Sequence, residues 1–88
     1  TFQKPDFERF PSILLAFEAL EKAGTSGAAL NLANDYSVFR FLNNEISFID
    51  IYKINKLVLA RHPWTGIPSL QDLFNLDKWV KHFVLNYS

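Results

Sequence analysis

Apolar residues recur every three or four positions in four successive stretches of this chain, and each of the first three is closed by glycine, paired asparagine or proline. That period is the signature of amphipathic helices, and the punctuation sets their ends. In the first stretch, Phe10, Ile13, Leu14, Phe17 and Leu20 share a face. Glu18 and Lys22 can pair weakly on the other side, and Gly24 suits a helix C-cap. Thr25 or Ser26 can cap a second helix running to about Asn43, with Asn43-Asn44 as its stop. Ala29, Leu32, Ala33, Tyr36 and Phe39 form one apolar face of it, and Leu30, Val38, Phe41 and Leu42 another. A helix apolar on most sides belongs in the middle of a bundle.

The third helix follows a capping-box pattern, Ser47 with Asp50. Phe48, Ile51, Val58 and Leu59 point to one side, and Lys53, Lys56 and Ala60 point outward. His62-Pro63 ends it, and the stretch through Gly66 and Pro68 reads as a loop. Ser69 with Asp72 repeats the capping pattern ahead of Leu70, Leu73 and Phe74, after which Asn75 or Asp77 is expected to restart the helix. Leu76, Val80, Phe83, Val84 and Tyr87 complete the last stripe. Residues 1–9, with Pro5 inside and Pro11 just beyond, read as an extended lead-in. The expectation is an all-α, small four-helix bundle-like domain over residues 10–88, preceded by that lead-in.

Eighty-eight residues make one domain. A chain this short buries only about 60–65% of its unfolded surface. Yet it is 49% hydrophobic, with nine Phe, three Tyr and two Trp. So small an interior cannot take every aromatic, which hints at a partner outside the chain. The opening Thr1-Phe2-Gln3-Lys4-Pro5 likewise reads as entry into a longer polypeptide.

Nine basic and nine acidic residues cancel, and the cations are scattered singly from Lys4 to Lys81. Nucleic-acid binders need a basic stripe to neutralise phosphates, and membrane-surface helices need a basic amphipathic face. Neither class of partner is expected, and a helix-turn-helix DNA binder is disfavoured with them. Cysteine is absent, which removes disulfides and thiolate metal sites. No apolar run approaches the ~20 residues that span a bilayer, and no signal-peptide pattern occurs.

Catalytic constellations are hard to assemble. His62 and His82 stand alone, without carboxylates at ligand spacing, and are expected to be solvated. Asp50 and Asp72 are cap candidates, and Glu18 and Glu21 belong to an outer face. Three glycines make no phosphate cradle, and three or four converging metal ligands cannot be found. The chain is therefore expected to carry no catalytic, cofactor-binding or metal-binding residue. Trp64, in the loop His62–Pro68, is expected to fold back over the helix ends, with a contact surface as the alternative. Trp79 is either core or contact surface.

One stretch does stand apart. Asn31, Asn34 and Asp35 form a polar stripe on an otherwise apolar helix. Buried without partners, each would cost about 1–3 kcal/mol. The stripe is thus expected to be hydrogen-bonded to backbone as a structural clamp on the preceding loop or on a neighbouring domain. A solvent-facing stripe is the alternative.

At this stripe the chain resembles a known family. Ala23-Gly24-Thr25-Ser26-Gly27-Ala28-Ala29-Leu30-Asn31-Leu32-Ala33-Asn34-Asp35 is similar to the Gly-Gly-Thr-Ala-Pro-Ala-Val-Leu-Asn-Ala-Ala-Asn-Glu pattern of the C-terminal domain of 1-deoxy-D-xylulose 5-phosphate reductoisomerase. Pro5 to Pro11, Leu15 to Ala19, Ile46 to Ile51 and Ser69 to Asp72 extend the likeness, in unbroken order, over residues 1 to about 80. Asp35 stands where the family has Glu, Leu32 where it has a small Ala, and Gly27 where Pro is common. Leu32 adds bulk that smaller neighbours or a shifted partner must accommodate.

The resemblance implies a helical domain that buttresses the catalytic domain of its parent enzyme. It also implies that the parent rearranges and reduces its sugar phosphate in the non-mevalonate route to isoprenoids, using NADPH and Mg²⁺ or Mn²⁺. A homodimer in the bacterial cytoplasm or a plastid-type organelle is implied as well. The upstream NADPH-binding and catalytic domains would carry all the chemistry. The alternative, from a different class, is a free-standing helical protein-interaction adaptor using exposed aromatics such as Trp64.

Overall fold

Among the described residues, four helices follow the punctuation of the sequence. A computed structural model of the chain describes residues 11–88, with side chains from Ile13 onward; the lead-in at residues 1–9 and the placement of Phe10 lie outside the described residues. Pro11 opens α1 (Pro11–Lys22) at the position where its missing N–H costs nothing. The turn after it holds two consecutive left-handed residues, Ala23 (φ 54°) and Gly24 (φ 53°). Next come α2 (Ser26–Leu42), α3 (Phe48–Arg61) and α4 (Leu70–Leu85).

The start signals of the last two helices act as expected, in different ways. In α4, the Ser69 hydroxyl accepts from the Asp72 N–H at 3.1 Å, and the Asp72 carboxylate accepts from the Ser69 N–H at 2.9 Å. In α3, the Ser47 N–H and hydroxyl both donate to Asp50 Oδ2 at 2.9 Å. These hydrogen bonds, the backbone one first, hold the Asp50 carboxyl below its usual value. The expected break at Asn75 or Asp77 is absent: α4 runs unbroken. Once nucleated, each added residue gains a hydrogen bond, and a surface Gln71–Asn75 bond at 3.0 Å supports the suspect turn.

As its apolar girth indicated, α2 is central and touches each of the other three helices, whereas α1 and α4 do not meet. Its buried stripe is Ser26, Ala29, Ala33, Ser37 and Arg40, a 3–4 spacing of mostly small residues. Small side chains let α3 and α4 come close, and Ala29 and Ala33 pack with Ile54, Val58, Leu76, Val80 and Val84 in the main core. A second cluster, Leu15, Ala19 and Leu59, seats α1.

Three apolar faces differ from expectation. On α1, Leu14, Phe17 and Leu20 are 39%, 48% and 75% exposed, and Leu15 and Ala19 are buried instead, because that is the side that meets Leu59. Phe39 is 61% exposed on α2, and Phe48 is 75% exposed on α3, where Ile54 and Asn55 are buried instead. Both rings lie outside the two buried clusters, whose contacts are made by smaller side chains on α2. Phe48 packs edge-on against Phe41, with centroids 5.7 Å apart.

Candidate functional site

Three clusters of polar side chains join elements that lie far apart in sequence. The first ties the α1–α2 turn to the loop after α3. The Thr25 N–H donates to the Thr65 carbonyl and the Thr65 N–H donates to Thr25 Oγ1, both at 3.0 Å. His62 completes the cluster. Its Nδ1 lies 3.0 and 3.1 Å from the Val58 and Leu59 carbonyls, so Nδ1 carries a proton. Its Nε2 is left to accept from the Thr25 hydroxyl at 3.2 Å.

These bonds correct two expectations. His62 is 7% exposed rather than solvated, because it follows Val58 by four residues and stays on the buried side of the last turn. Thr25 sits at the N-cap position of α2 but makes no side-chain cap bond; its hydroxyl is taken by partners about forty residues away. Trp64 folds back as expected: its Nε1 donates to the Ala23 carbonyl at 3.1 Å, and its indole lies over Gly24 and Gly66. It nonetheless keeps 54% of its surface exposed.

The second cluster holds the end of α4. Arg40, 9% exposed, donates from one guanidinium nitrogen to the Val84 carbonyl at 2.8 Å and the Tyr87 carbonyl at 2.6 Å. Its Nε lies 3.4 Å from Glu45. A cation placed on the last carbonyls of a helix satisfies orphan acceptors and meets the negative end of the dipole. Sequence reasoning missed this residue, although its register with Ala33 and Ser37 marked the buried stripe. Nearby, the Tyr36 hydroxyl donates to Asp77 Oδ1 at 2.6 Å. That hydrogen bond, with burial and the negative charge of Asp77, pushes the Tyr36 phenol up to about 12.

The third cluster contains the polar stripe. Asn31, Asn34 and Asp35 are all exposed, so the expected buried clamp with backbone partners is not formed within the described residues. The reason is register: they lie on the side of α2 away from Ala29, Ala33 and Ser37. Asn34 Oδ1 accepts instead from Asn55 Nδ2 at 3.2 Å. Asn55 is a buried polar residue of α3 that the sequence did not flag, 5% exposed and with its Oδ1 unpartnered. Asn31, Asn34 and Asn55 line a cleft of about 250 Å³ with Leu15, Gly27 and Leu30.

On the other side of the stripe, two grooves run between α2 and α4. One of about 390 Å³ touches Asn31, Leu32, Asp35, Leu73, Phe74 and Asp77. The other, of about 460 Å³, is lined by Asp35, Tyr36, Phe39, Lys81 and Leu85. Trp79 stacks on Phe83 at 5.2 Å and packs, partly buried, against the main core.

Among the described residues, no three His, Asp or Glu side chains converge on a point that could hold a metal ion. Nor do the glycines form a phosphate cradle: Gly24 and Gly66 both lie under the Trp64 indole. The described residues therefore do not fit a resident metal or nicotinamide cofactor. What the arrangement offers is rigid joints and exposed apolar and amide surface.

Comparison with known proteins gives a consistent set of matches. A family model described as the DXP reductoisomerase C-terminal domain matches residues 1–83. The chain is 43% identical over 84 residues to the 1-deoxy-D-xylulose 5-phosphate reductoisomerase of Acetivibrio thermocellus, covering 96% of this chain and 22% of that protein. Proteins of the same name from Desulforamulus reducens and Chlorobaculum tepidum are 41% and 43% identical over 81 and 82 residues. Each of those matches covers 92% of this chain and 21% of the relative. The chain thus spans about a fifth of the length of the curated relatives it matches.

Proposed function

Since this chain belongs to the DXP reductoisomerase C-terminal domain family, we propose that it is the non-catalytic supporting domain of a 1-deoxy-D-xylulose 5-phosphate reductoisomerase. The observation that carries this reading is the family match over residues 1–83, nearly the whole chain. The parent enzyme would act in the non-mevalonate route to isoprenoids, with NADPH and Mg²⁺ or Mn²⁺ held by upstream domains and with two copies forming a homodimer. It would reside in the bacterial cytoplasm or a plastid-type organelle. None of the described helices is long and apolar enough to cross a membrane.

The physical contribution of the domain would be area and rigidity. Phe39, Leu42, Phe48, Ile49 and Phe74 are each more than half exposed. So much exposed apolar surface on one small domain would suit a contact with another protein surface. Burying it against the catalytic domain would stabilise both, at roughly 25 cal/mol per Å² of apolar area. The clusters around Arg40 and His62 would keep that surface in one shape. A free-standing adaptor is not favoured, because the matched relatives carry this segment as about a fifth of a longer enzyme.

The test is NADPH oxidation with 1-deoxy-D-xylulose 5-phosphate and Mg²⁺, on three proteins: this chain, the parent, and the parent lacking it. The chain by itself should show no turnover. The shortened parent should melt at lower temperature and lose most activity. Turnover by the isolated chain, or a shortened parent as stable and active as the whole, would sink the proposal.

A further inference from the structure

The cleft between α1, α2 and α3 has a composition unlike the rest of the surface. Three carboxamides, from Asn31, Asn34 and Asn55, face it, with Leu15, Leu30 and Gly27 filling the remainder. Among the described residues, no charged side chain lines it. A phosphate site needs cationic or backbone donors gathered on one point, and a metal site needs carboxylates or imidazoles. Neutral carboxamides instead present one acceptor and two donors each, the same pair of functions that a peptide main chain presents.

Much of that capacity is unused. Asn55 is 5% exposed, donates to Asn34 Oδ1 at 3.2 Å, and keeps an unpartnered Oδ1. Asn31 makes no side-chain hydrogen bond among the described residues, and the Asn34 Nδ2 is likewise free there. A half-satisfied buried amide is costly to a fold unless something else completes it. Gly27 leaves room beside them: a Cβ built there would meet nothing within 4 Å among the described residues.

We infer that this cleft seats an extended main-chain segment supplied by the remainder of the same polypeptide, with the carboxamides of Asn31, Asn34 and Asn55 bonding its N–H and C=O groups. The inference rests on the reading of the chain as a supporting domain. The occupant is assigned to the same polypeptide because the matched relatives extend well beyond this segment, which makes up 22% of one and 21% of two others. At about 250 Å³ the cleft admits a short strand of chain and not a second helical bundle.

The chain contains no cysteine, so a single introduced thiol reports local access. Asn31→Cys and, in the α2–α4 groove, Leu85→Cys are each made in this chain and in the parent, and thiol-labelling rates are read peptide by peptide. Labelling at position 31 should be at least tenfold slower in the parent, and a photo-crosslinker placed there should capture a segment preceding Thr1. Gly27→Leu should leave the melting of the isolated chain unchanged, because the space is open, yet restore labelling at position 31 in the parent. Slowing at position 85 alone would overturn the cleft while leaving the supporting role intact. Slowing at neither position would overturn the inference, and the supporting role would then stand or fall on the stability and activity of the shortened parent. A crosslink to position 31 from another copy of this chain would also overturn the inference.

Discussion

Replacing Arg40 with methionine should destabilise the isolated chain by about 3 kcal/mol, and the number follows from what the guanidinium touches. Arg40 is 9% exposed and holds the Val84 and Tyr87 carbonyls at 2.8 and 2.6 Å. Hydrogen bonds to a charged group contribute about 1.5–3 kcal/mol each, which sets a range of roughly 3–6 for the pair. The lower end applies because these carbonyls lie at the end of α4, where water can replace part of the loss. Methionine retains most of the aliphatic stem, so little cavity is created.

Glu45 supplies the control. Its side chain is 47% exposed and 3.4 Å from Arg40 Nε, so Glu45→Gln should cost less than about 1 kcal/mol. For 88 residues, stability is roughly 4–13 kcal/mol in total, and each kcal/mol moves Tm by about 4–8 °C. Urea unfolding followed by circular dichroism reads the difference directly, with calorimetry for Tm. If Arg40→Met falls within about 0.5 kcal/mol of the unmodified chain at equal m, the clamp on α4 contributes nothing and the reasoning fails.

Two further outcomes follow from the same structure. Gly24 has φ 53°, and a Cβ there would clash with the Thr65 carbonyl and meet the Trp64 ring, so Gly24→Ala should cost about 3 kcal/mol; a loss under about 1 kcal/mol in the same urea assay would mean that the turn can move aside. Tyr36, with its phenol raised from 10.0 to about 12 by the bond to Asp77, stabilises the fold fully below pH 10 and loses that contribution as pH rises from 10 to about 12. The stability of the unmodified chain should therefore fall more steeply across that window than that of Tyr36→Phe, and parallel curves would show that the hydrogen bond does not hold in solution.

Much of the architecture was legible because its causes are local. Helix period, the Ser69–Asp72 box and the His62-Pro63 stop each act within a few residues, and all survive in the structure. The continuity of α4 was missed for the same reason in reverse: Asn75 and Asp77 are indifferent helix formers, but their side chains found partners in Gln71 and Tyr36. The family resemblance was likewise carried by consecutive residues around Asn31 and Asn34, which match without any knowledge of where they point.

The roles of individual side chains were not legible, because they depend on which helix comes near. The composition of α2 allowed either Phe39 or Ser37 to face inward. Only the close approach of α3 and α4 decided for the small residues, burying Ser37 and Arg40 and turning Asn31, Asn34 and Asp35 outward. His62 became a core residue once Thr25, thirty-seven positions away, supplied a partner for Nε2. The sequence by itself therefore determined most of the helices and their ends, since those rest on short-range periodicity and capping, and pointed to the family through consecutive matching residues. Tertiary structure alone decided which faces are buried and which polar groups are left open, since burial is a property of neighbours that only packing brings together.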